Sequence, residues 1–422
     1  MKVKVGNQKA FVFILLAAVI LGVMLGTILI NNKKAQADKN YIDSQKQKLE
    51  VENRVSSETT NTVVTEGNDN ENVEIEEVDG IKINPTMLDN LSGNSAYCPT
   101  FQIVWNELAN MYVDGKDVVF LNKKLEMIDN LNKKTFTKDD ISDEYYYVKV
   151  GKMVLSVKKE IEKGIKDKFD ETSKILDMVE WIDDSNLENI DNIDEYVFYT
   201  MLKRNFEFNK PFDILDEDGL FGEYKNVKYF GIDEESDKDL RKQIDVLYYN
   251  NQADFAVKLK TKDNDEIIVL RKENDNFKTF DEVYTYLNNQ TEKYKGNKEI
   301  TENDFLKVPN IKFDVLKKYD ELRLGIFLDK DNNEKVITEA IQTIEFEIDN
   351  KGGKLKSEAL IAVKNTSIMI GDEPIENRYF YCNDDFYMFL KEENKDKPYF
   401  ALKVDDIKDF QEDVIELDID KE

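Results

Sequence analysis

Residues 10–30 form a run of 21 residues without a charge, bounded by Lys9 before it and by Lys33 and Lys34 after it. No other feature constrains the topology of the chain as strongly. A helix of that length crosses a bilayer core of about 30 Å. A secretory signal carries a shorter apolar stretch, roughly 7–15 residues. The run therefore reads as an uncleaved, single-pass anchor, with residues 1–9 as a short cytoplasmic tail. Lys2, Lys4 and Lys9 on one side face Lys33, Lys34 and Lys39 on the other, so the positive-inside rule discriminates little. A first helix that feeds a large acidic domain most often places it outside, which makes the folded part extracytoplasmic at the cell membrane. Ala35-Gln36-Ala37 resembles a cleavage site, and cleavage after Ala37 would make the protein secreted. Gly22 and Gly26 have the GxxxG spacing that could seat a weak helix dimer, although small residues are common in such helices.

Beyond the anchor the chain is acidic. It carries 87 Asp and Glu against 59 Lys and Arg, a net charge of −28. Residues 1–37 hold five lysines and no acid, and residues 38–79 hold twelve acids against four bases, so most of the excess sits on residues 80–422. Residues 31–80 read as a self-repelling tether, residues 81–413 as the folded domain and residues 414–422 as an acidic tail. This balance argues against a nucleic-acid partner, which needs a basic face. There is no histidine, which removes the Ser-His-Asp, Cys-His and HExxH arrangements together. Cys98 and Cys382 are the only cysteines, too few for a thiolate zinc cluster or a disulfide framework. A hydrophobic fraction of 41% still supports a large core.

Both structural periods occur. Phe101, Val104, Trp105, Leu108, Met111 and Tyr112 share one helical face. Val157, Ile161 and Ile165 mark a second helix, and Ile175, Leu176, Val179 and Ile182 suggest a third. Phe255, Val257 and Leu259 alternate with Ala256 and Lys258, and Ile344, Phe346 and Ile348 alternate with acids, the pattern of strands. Residues 196–204 and 266–272 are apolar runs of strand length. Helices early and strands late predict an α+β fold with antiparallel or mixed sheets.

Catalytic signals are absent. There is no GxGxxG and no GxxxxGK[ST]. Asp329, Asp331 and Asn333 resemble the start of a calcium loop, but Glu334 stands at the glycine position and Ala340 at the closing acid, so a solvated turn is the better reading. Acid pairs such as Asp139-Asp140 are expected by chance in so acidic a chain. No catalytic residue, cofactor or metal site is assigned, and the chain does not read as an enzyme.

Five stretches carry a resemblance. Residues 197–212 read V-F-Y-T-M-L-K-R-N-F-E-F-N-K-P-F. They fit, without a gap, the serpin strand V-L-V-N-A-I-Y-F-K-G-x-W-x-x-P-F, with Phe208 in place of Trp and Thr200 in place of Asn. Residues 94–99 (N-S-A-Y-C-P) are similar to N-I-F-F-S-P, with Cys98 in the serine's place. Residues 253–273 resemble a strand pair ending in L-P-K-E, and residues 305–313 resemble V-x-L-P-K-F-K-I. Residues 385–389 with 399–404 resemble the hairpin P-F-L-F … L-F-M-G-R-V, with Asp385 in place of Pro. All five fall in serpin order. The resemblance implies a serpin-like, multi-sheet fold, with a large central sheet, two smaller sheets and surrounding helices. It also sets Cys98 and Cys382 apart, which implies free thiols.

Residues 337–352 are similar to the approach to the serpin hinge. In that family the loop after the hinge is bait for a serine or cysteine protease; once cleaved, it inserts into the main sheet as a new strand. Side chains alternate along a strand, so every second hinge residue must fit beneath the sheet. The resemblance places the hinge at Gly352, with Gly353, Leu355, Ser357 and Ala359 inward and Lys354, Lys356 and Glu358 outward. The inward set is small or apolar, which permits insertion. The family's T-E-A-A-A-A-T is G-K-L-K-S-E-A here, and the longer side chains should slow it. Candidate bait residues are Lys364, Thr366, Ser367 and Met369, with Arg378 a further basic choice. Phe380 and Phe386 bound the loop. The implied partner is a protease. A non-inhibitory serpin-fold binding or scaffold module, with insertion lost, and an unrelated surface domain are the competing readings.

Overall fold

A computed structural model describes residues 80–185, 190, 193–359 and 377–417. The anchor and tether expected before residue 80 lie outside the described residues, and so do Gly22 and Gly26. Among the described residues no helix is long and apolar enough to cross a membrane.

The described residues open with β1 (Ile81–Asn84) and β2 (Asn94–Tyr97), then α1 (Thr100–Val113), α2 (Glu126–Leu131), β3 (Tyr146–Lys152) and α3 (Leu155–Phe169). Next come β4 (Tyr196–Glu207), β5 (Asp213–Phe221), β6 (Tyr224–Ile232), the short α4 (Lys238–Arg241), β7 (Ile244–Asn251), β8 (Asp254–Lys260), β9 (Asp265–Lys272) and α5 (Phe280–Lys293). The strands of the last part are β10 (Phe305–Pro309), β11 (Ile311–Lys318), β12 (Ile326–Leu328), β13 (Glu334–Val336), β14 (Ile341–Asp349), β15 (Gly352–Ala359), β16 (Tyr379–Tyr381), β17 (Phe386–Glu392), β18 (Phe400–Val404) and β19 (Ile415–Glu416), with one short 3-10 turn at Ile407–Asp409.

The strands build a seven-stranded sheet in the order β1-β2-β18-β17-β9-β8-β7 and a five-stranded sheet β16-β10-β6-β19 with β5 also on β6. A second five-stranded sheet runs β11-β14-β15-β4-β3, and β12 pairs β13 alone. The α+β class and the multi-sheet plan agree with the expectation. The sizes do not: the sheet that takes the hinge segment has five strands and is not the largest. β19 pairs with Tyr224 and Lys225, so the sheet continues past Asp413, the end that composition suggests.

The hinge sheet is antiparallel throughout and covered on both faces. On one face Leu202, Phe206, Phe346 and Leu355 join the main core, where Phe346 stacks on Phe400 of β18 at 4.4 Å. α1 packs on β4 and β15. On the other face Val157, Ile161 and Ile165 of α3 pack with Val197, Tyr199 and Met201. Both helices start where their apolar spacing predicts.

The third expected helix does not form. Ile175 and Leu176 are buried, but only a single 3-10 turn spans Ile175–Asp177. The Trp181 indole N–H donates to the Leu176 carbonyl at 2.7 Å and occupies the acceptor that the next helical turn needs. Ile182 instead bridges Val154. Residues 170–182 thus run as a strap that joins the core on the α3 face of the sheet.

Candidate functional site

The hinge segment is β15, seated between β14 and β4 over its full length. Gly352 pairs Asp349 and Glu207 at one end, and Ala359 pairs Gln342 and Thr200 at the other. The turn that starts it is closed by the connection after β4. Phe208 N–H donates to the Lys351 carbonyl at 2.9 Å, Phe212 N–H to the Asn350 carbonyl at 2.8 Å, and the Asn350 amide to the Phe212 carbonyl at 3.0 Å. The rings of Phe208 and Phe212 meet edge to face at 4.8 Å in the same place. Phe208 and Phe212 together therefore clamp the hinge turn. Gly352 sits at φ +144°, and a Cβ there would lie 2.1 Å from the Phe206 carbonyl oxygen. A Cβ added at Gly353 would lie 2.2 Å from the Glu347 carbonyl oxygen, so both positions leave room for hydrogen only.

Along β15 the side chains alternate. Leu355 and Ser357 are fully buried on the α1 face. The Ser357 hydroxyl lies 2.9 Å from Thr100 Oγ1 at the start of α1 and donates to the Thr343 carbonyl at 2.9 Å. Gln342 Nε2 donates to Thr100 Oγ1 at 3.2 Å and to the Cys98 carbonyl at 3.1 Å, while Tyr319 OH donates to Gln342 Oε1 at 2.8 Å. A buried polar chain thus runs beneath the sheet from Tyr319 to Ser357.

The opposite face carries the charges. Lys354 pairs with Glu345 at 2.8 Å and Glu347 at 3.3 Å on the neighbouring strand. Lys356 pairs with Glu171 at 3.2 Å and donates to the Thr172 carbonyl at 2.9 Å. Burial alone would raise Glu171, but Lys203 and Lys356 hold its carboxyl below the usual glutamate range. Glu358 lies on this outward face, yet it is not in water: 1% of its surface is exposed. The strap covers it. Its carboxylate accepts from Ser173 Oγ and, at 3.0 Å, from Tyr199 OH, and burial pushes its pKa up.

The bait candidates Lys364, Thr366, Ser367 and Met369 lie outside the described residues. Arg378 is described, and its geometry removes it as an accessible bait. It is 4% exposed, pairs with Asp304 at 2.8 Å, and donates to the Asn297 and Glu299 carbonyls at 2.7 and 2.8 Å. Burial would raise Asp304, but hydrogen bonding from Arg378 and Thr301 holds its carboxyl below the usual range. Cys98 and Cys382 are both free and buried. Burial pushes the Cys98 thiol up to about 11 and raises Cys382 as well. Asp329 accepts from the amides of Asp331 and Asn333 at 2.9 and 2.8 Å within its own turn. Among the described residues no group of three acids or cysteines is placed to hold a metal ion.

Sequence reasoning missed Thr100, Gln342, Tyr319, Tyr199 and Ser173. Each is an ordinary residue in its own segment and gains a role only by meeting β15. Tyr199 and Gln342 fall inside the stretches 197–212 and 337–352, and Thr100 follows the N-S-A-Y-C-P stretch, but none of them stands out there by type or spacing.

The domain is similar in fold to solved serpins. It matches Serpin48 of the insect Tenebrio molitor with a TM-score of 0.40 and 10% identity, over 74% of this chain and 92% of that one. It matches the thermophilic serpin tengpin in the native state with a TM-score of 0.40 and 12% identity, over 75% and 90%. Two structures of cleaved Serpin 42Da match at TM-scores of 0.34 and 0.36 with 11% and 13% identity, each over 59% of this chain. The chain covers 64% and 65% of the length of those two. No protein-family model matches the chain, and no curated protein does.

Proposed function

We propose that the described domain from Ile81 to β19 is a serpin-like module held outside the cell membrane by residues 10–30, and that Gly352–Ala359 is the hinge of a protease-bait loop. The seating of β15 carries this reading. Its short and apolar side chains face α1, and its two lysines meet carboxylates on the other face. The segment thus has the alternation that insertion demands. In this mechanism the attacking chemistry belongs to a serine or cysteine protease. The chain supplies a scissile loop after Ala359, and strand pairing drives the trap.

A second reading keeps the fold and drops the inhibition. The contacts of Ser357 with Thr100, and of Glu358 with Tyr199 and Ser173, favour a β15 that stays in the sheet without cleavage. One experiment separates the two. The full chain is incubated with a panel of serine and cysteine proteases, then run on a denaturing gel and melted after loop cleavage. A complex that survives the gel supports the inhibitor. Cleavage with no complex and no rise in melting temperature supports the permanent strand.

A further inference from the structure

Residues 119–121 lie along β12, and β12 lies along β13. Phe120 bridges Phe327 in antiparallel register, and Leu121 N–H donates to the Ile326 carbonyl at 2.7 Å. Val119 therefore stands opposite Leu328, and Leu121 opposite Ile326. Across β12 and β13, Leu328 stands opposite Glu334 and Ile326 opposite Val336. Residues opposite one another on antiparallel strands share a face, so the three segments make a small two-faced ribbon. Its inner face is seated: Phe120 and Phe327 are buried in one cluster with Trp105 and Leu108 of α1, and the Lys335 ammonium lies 5.6 Å from the Tyr112 ring. Its outer face is apolar and open. Val119 is 65% exposed, Leu121 57% and Leu328 37%, and Ile326 and Val336 beside them are partly exposed. Single apolar residues on a surface need no explanation, but five in register on one face do.

The charge around the ribbon departs from that of the domain. Residues 116–124 carry three lysines and one acid, and residues 326–336 two lysines and three acids, so this part is near neutral in a strongly acidic chain. Lys116 and Lys124 are exposed and form no ion pair among the described residues. The chain also enters the domain close by. Gly80, the first described residue, lines one cavity with Met127 of α2 and with Glu321. Just beyond Glu321, the Arg323 carbonyl accepts from Lys123 and the Leu324 carbonyl accepts from Asn122 at 2.7 Å. Asn122 follows Leu121, so the domain's point of entry and the ribbon lie side by side.

We propose that the outer face of this ribbon rests on the lipid bilayer, with Val119, Leu121 and Leu328 set into its interface and Lys116 and Lys124 at the headgroup phosphates. This rests on the reading of residues 10–30 as an anchor. So few apolar side chains bind a bilayer weakly from free solution. Residues 31–79 between anchor and domain change that balance, because a flexible tether of this length has an r.m.s. reach of about 40 Å and keeps the surface at high effective concentration. The net negative charge of the domain repels anionic headgroups, and the near-neutral ribbon approaches them with less repulsion.

The test reconstitutes the full chain into vesicles of phosphatidylcholine and phosphatidylglycerol, with and without brominated phosphatidylcholine. An environment-sensitive maleimide dye is placed at Val119→Cys, at Leu328→Cys and, as a control, at Lys295→Cys, an exposed position after α5. Cys98 and Cys382 are buried, so the dye goes to the introduced thiol. The chain is expected to float with the vesicles. Brominated lipid is expected to quench the dyes at positions 119 and 328, with a blue shift of their emission, and to leave the dye at position 295 unchanged. Leu121→Asp, at an exposed position, is expected to remove the quenching at position 328 without changing flotation or melting temperature. A chain that floats with both ribbon dyes unquenched overturns the contact and leaves the anchor standing. A chain that does not float overturns the anchor, and the contact with it. Equal quenching at all three positions, or quenching that survives Leu121→Asp, overturns the contact alone. Dimming that needs no brominated lipid and is relieved by unlabelled chain overturns it in favour of a second copy on the ribbon.

Discussion

Tyr199 of β4 donates its hydroxyl to Glu358 of β15 at 3.0 Å and so joins the only carboxylate of the hinge strand to its neighbour. Glu358 pairs in register with Met201, two residues along from Tyr199 and on the same face. The carboxylate is there under the strap, cut off from water.

That burial makes the seated strand proton-linked. Glu358 has a raised pKa in the fold, so the folded form binds more protons than the unfolded chain between the two values. Its contribution to stability therefore grows as pH falls through its raised value and is complete below the ordinary glutamate value. Glu358→Gln is expected to flatten this dependence. Urea midpoints of parent and variant from about pH 8 to about pH 5 check it, because the difference isolates Glu358 from the other acids with raised pKa. Parallel curves would sink the idea.

Gly352 tests the hinge turn. Its φ of +144° and the 2.1 Å approach of a Cβ to the Phe206 carbonyl make Gly352→Ala strained in backbone and in space. A loss of about 1–3 kcal/mol is expected from the backbone alone, seen as a lower urea midpoint. Faster exchange of the β15 amides should accompany it, with little change in α5.

Arg378→Ala leaves Asp304 buried without its cation. Removing one partner of a buried pair costs about 3–5 kcal/mol, so a large fall in melting temperature is expected. The same burial predicts that trypsin does not cut the native chain after Arg378. A fragment beginning at Tyr379 would contradict the seating described.

The two thiols offer a chemical check. With Cys98 pushed up to about 11 and Cys382 also raised, neither is expected to react with a disulfide reagent near neutral pH in the native chain. Both should react after denaturation without prior reduction, since both are free. Rapid labelling of Cys98 in the native chain would mean that β15 leaves the sheet, because Ser357 lies over it.

Much of the fold is legible along the chain. α1 and α3 follow from apolar residues on one face, and β4, β8, β9 and β14 from alternation or short apolar runs. The failure at residues 175–182 is equally instructive, because the helical spacing is present and a single indole hydrogen bond from Trp181 takes the carbonyl that the helix needs. Arg378 reads in sequence as a cleavable base in a loop and is in fact buried against Asp304, 74 residues away along the chain.

The alternation of residues 353–359, the absence of histidine and the uncharged run at 10–30 belong to the sequence by itself. Local spacing suffices for the alternation, since a strand's two faces are set by its two-residue repeat. Only the tertiary structure decided what each face of β15 meets: Thr100 under Ser357, the strap over Glu358, carboxylates for Lys354 and Lys356. Those partners come from segments up to 257 residues apart, and no local pattern records such a meeting.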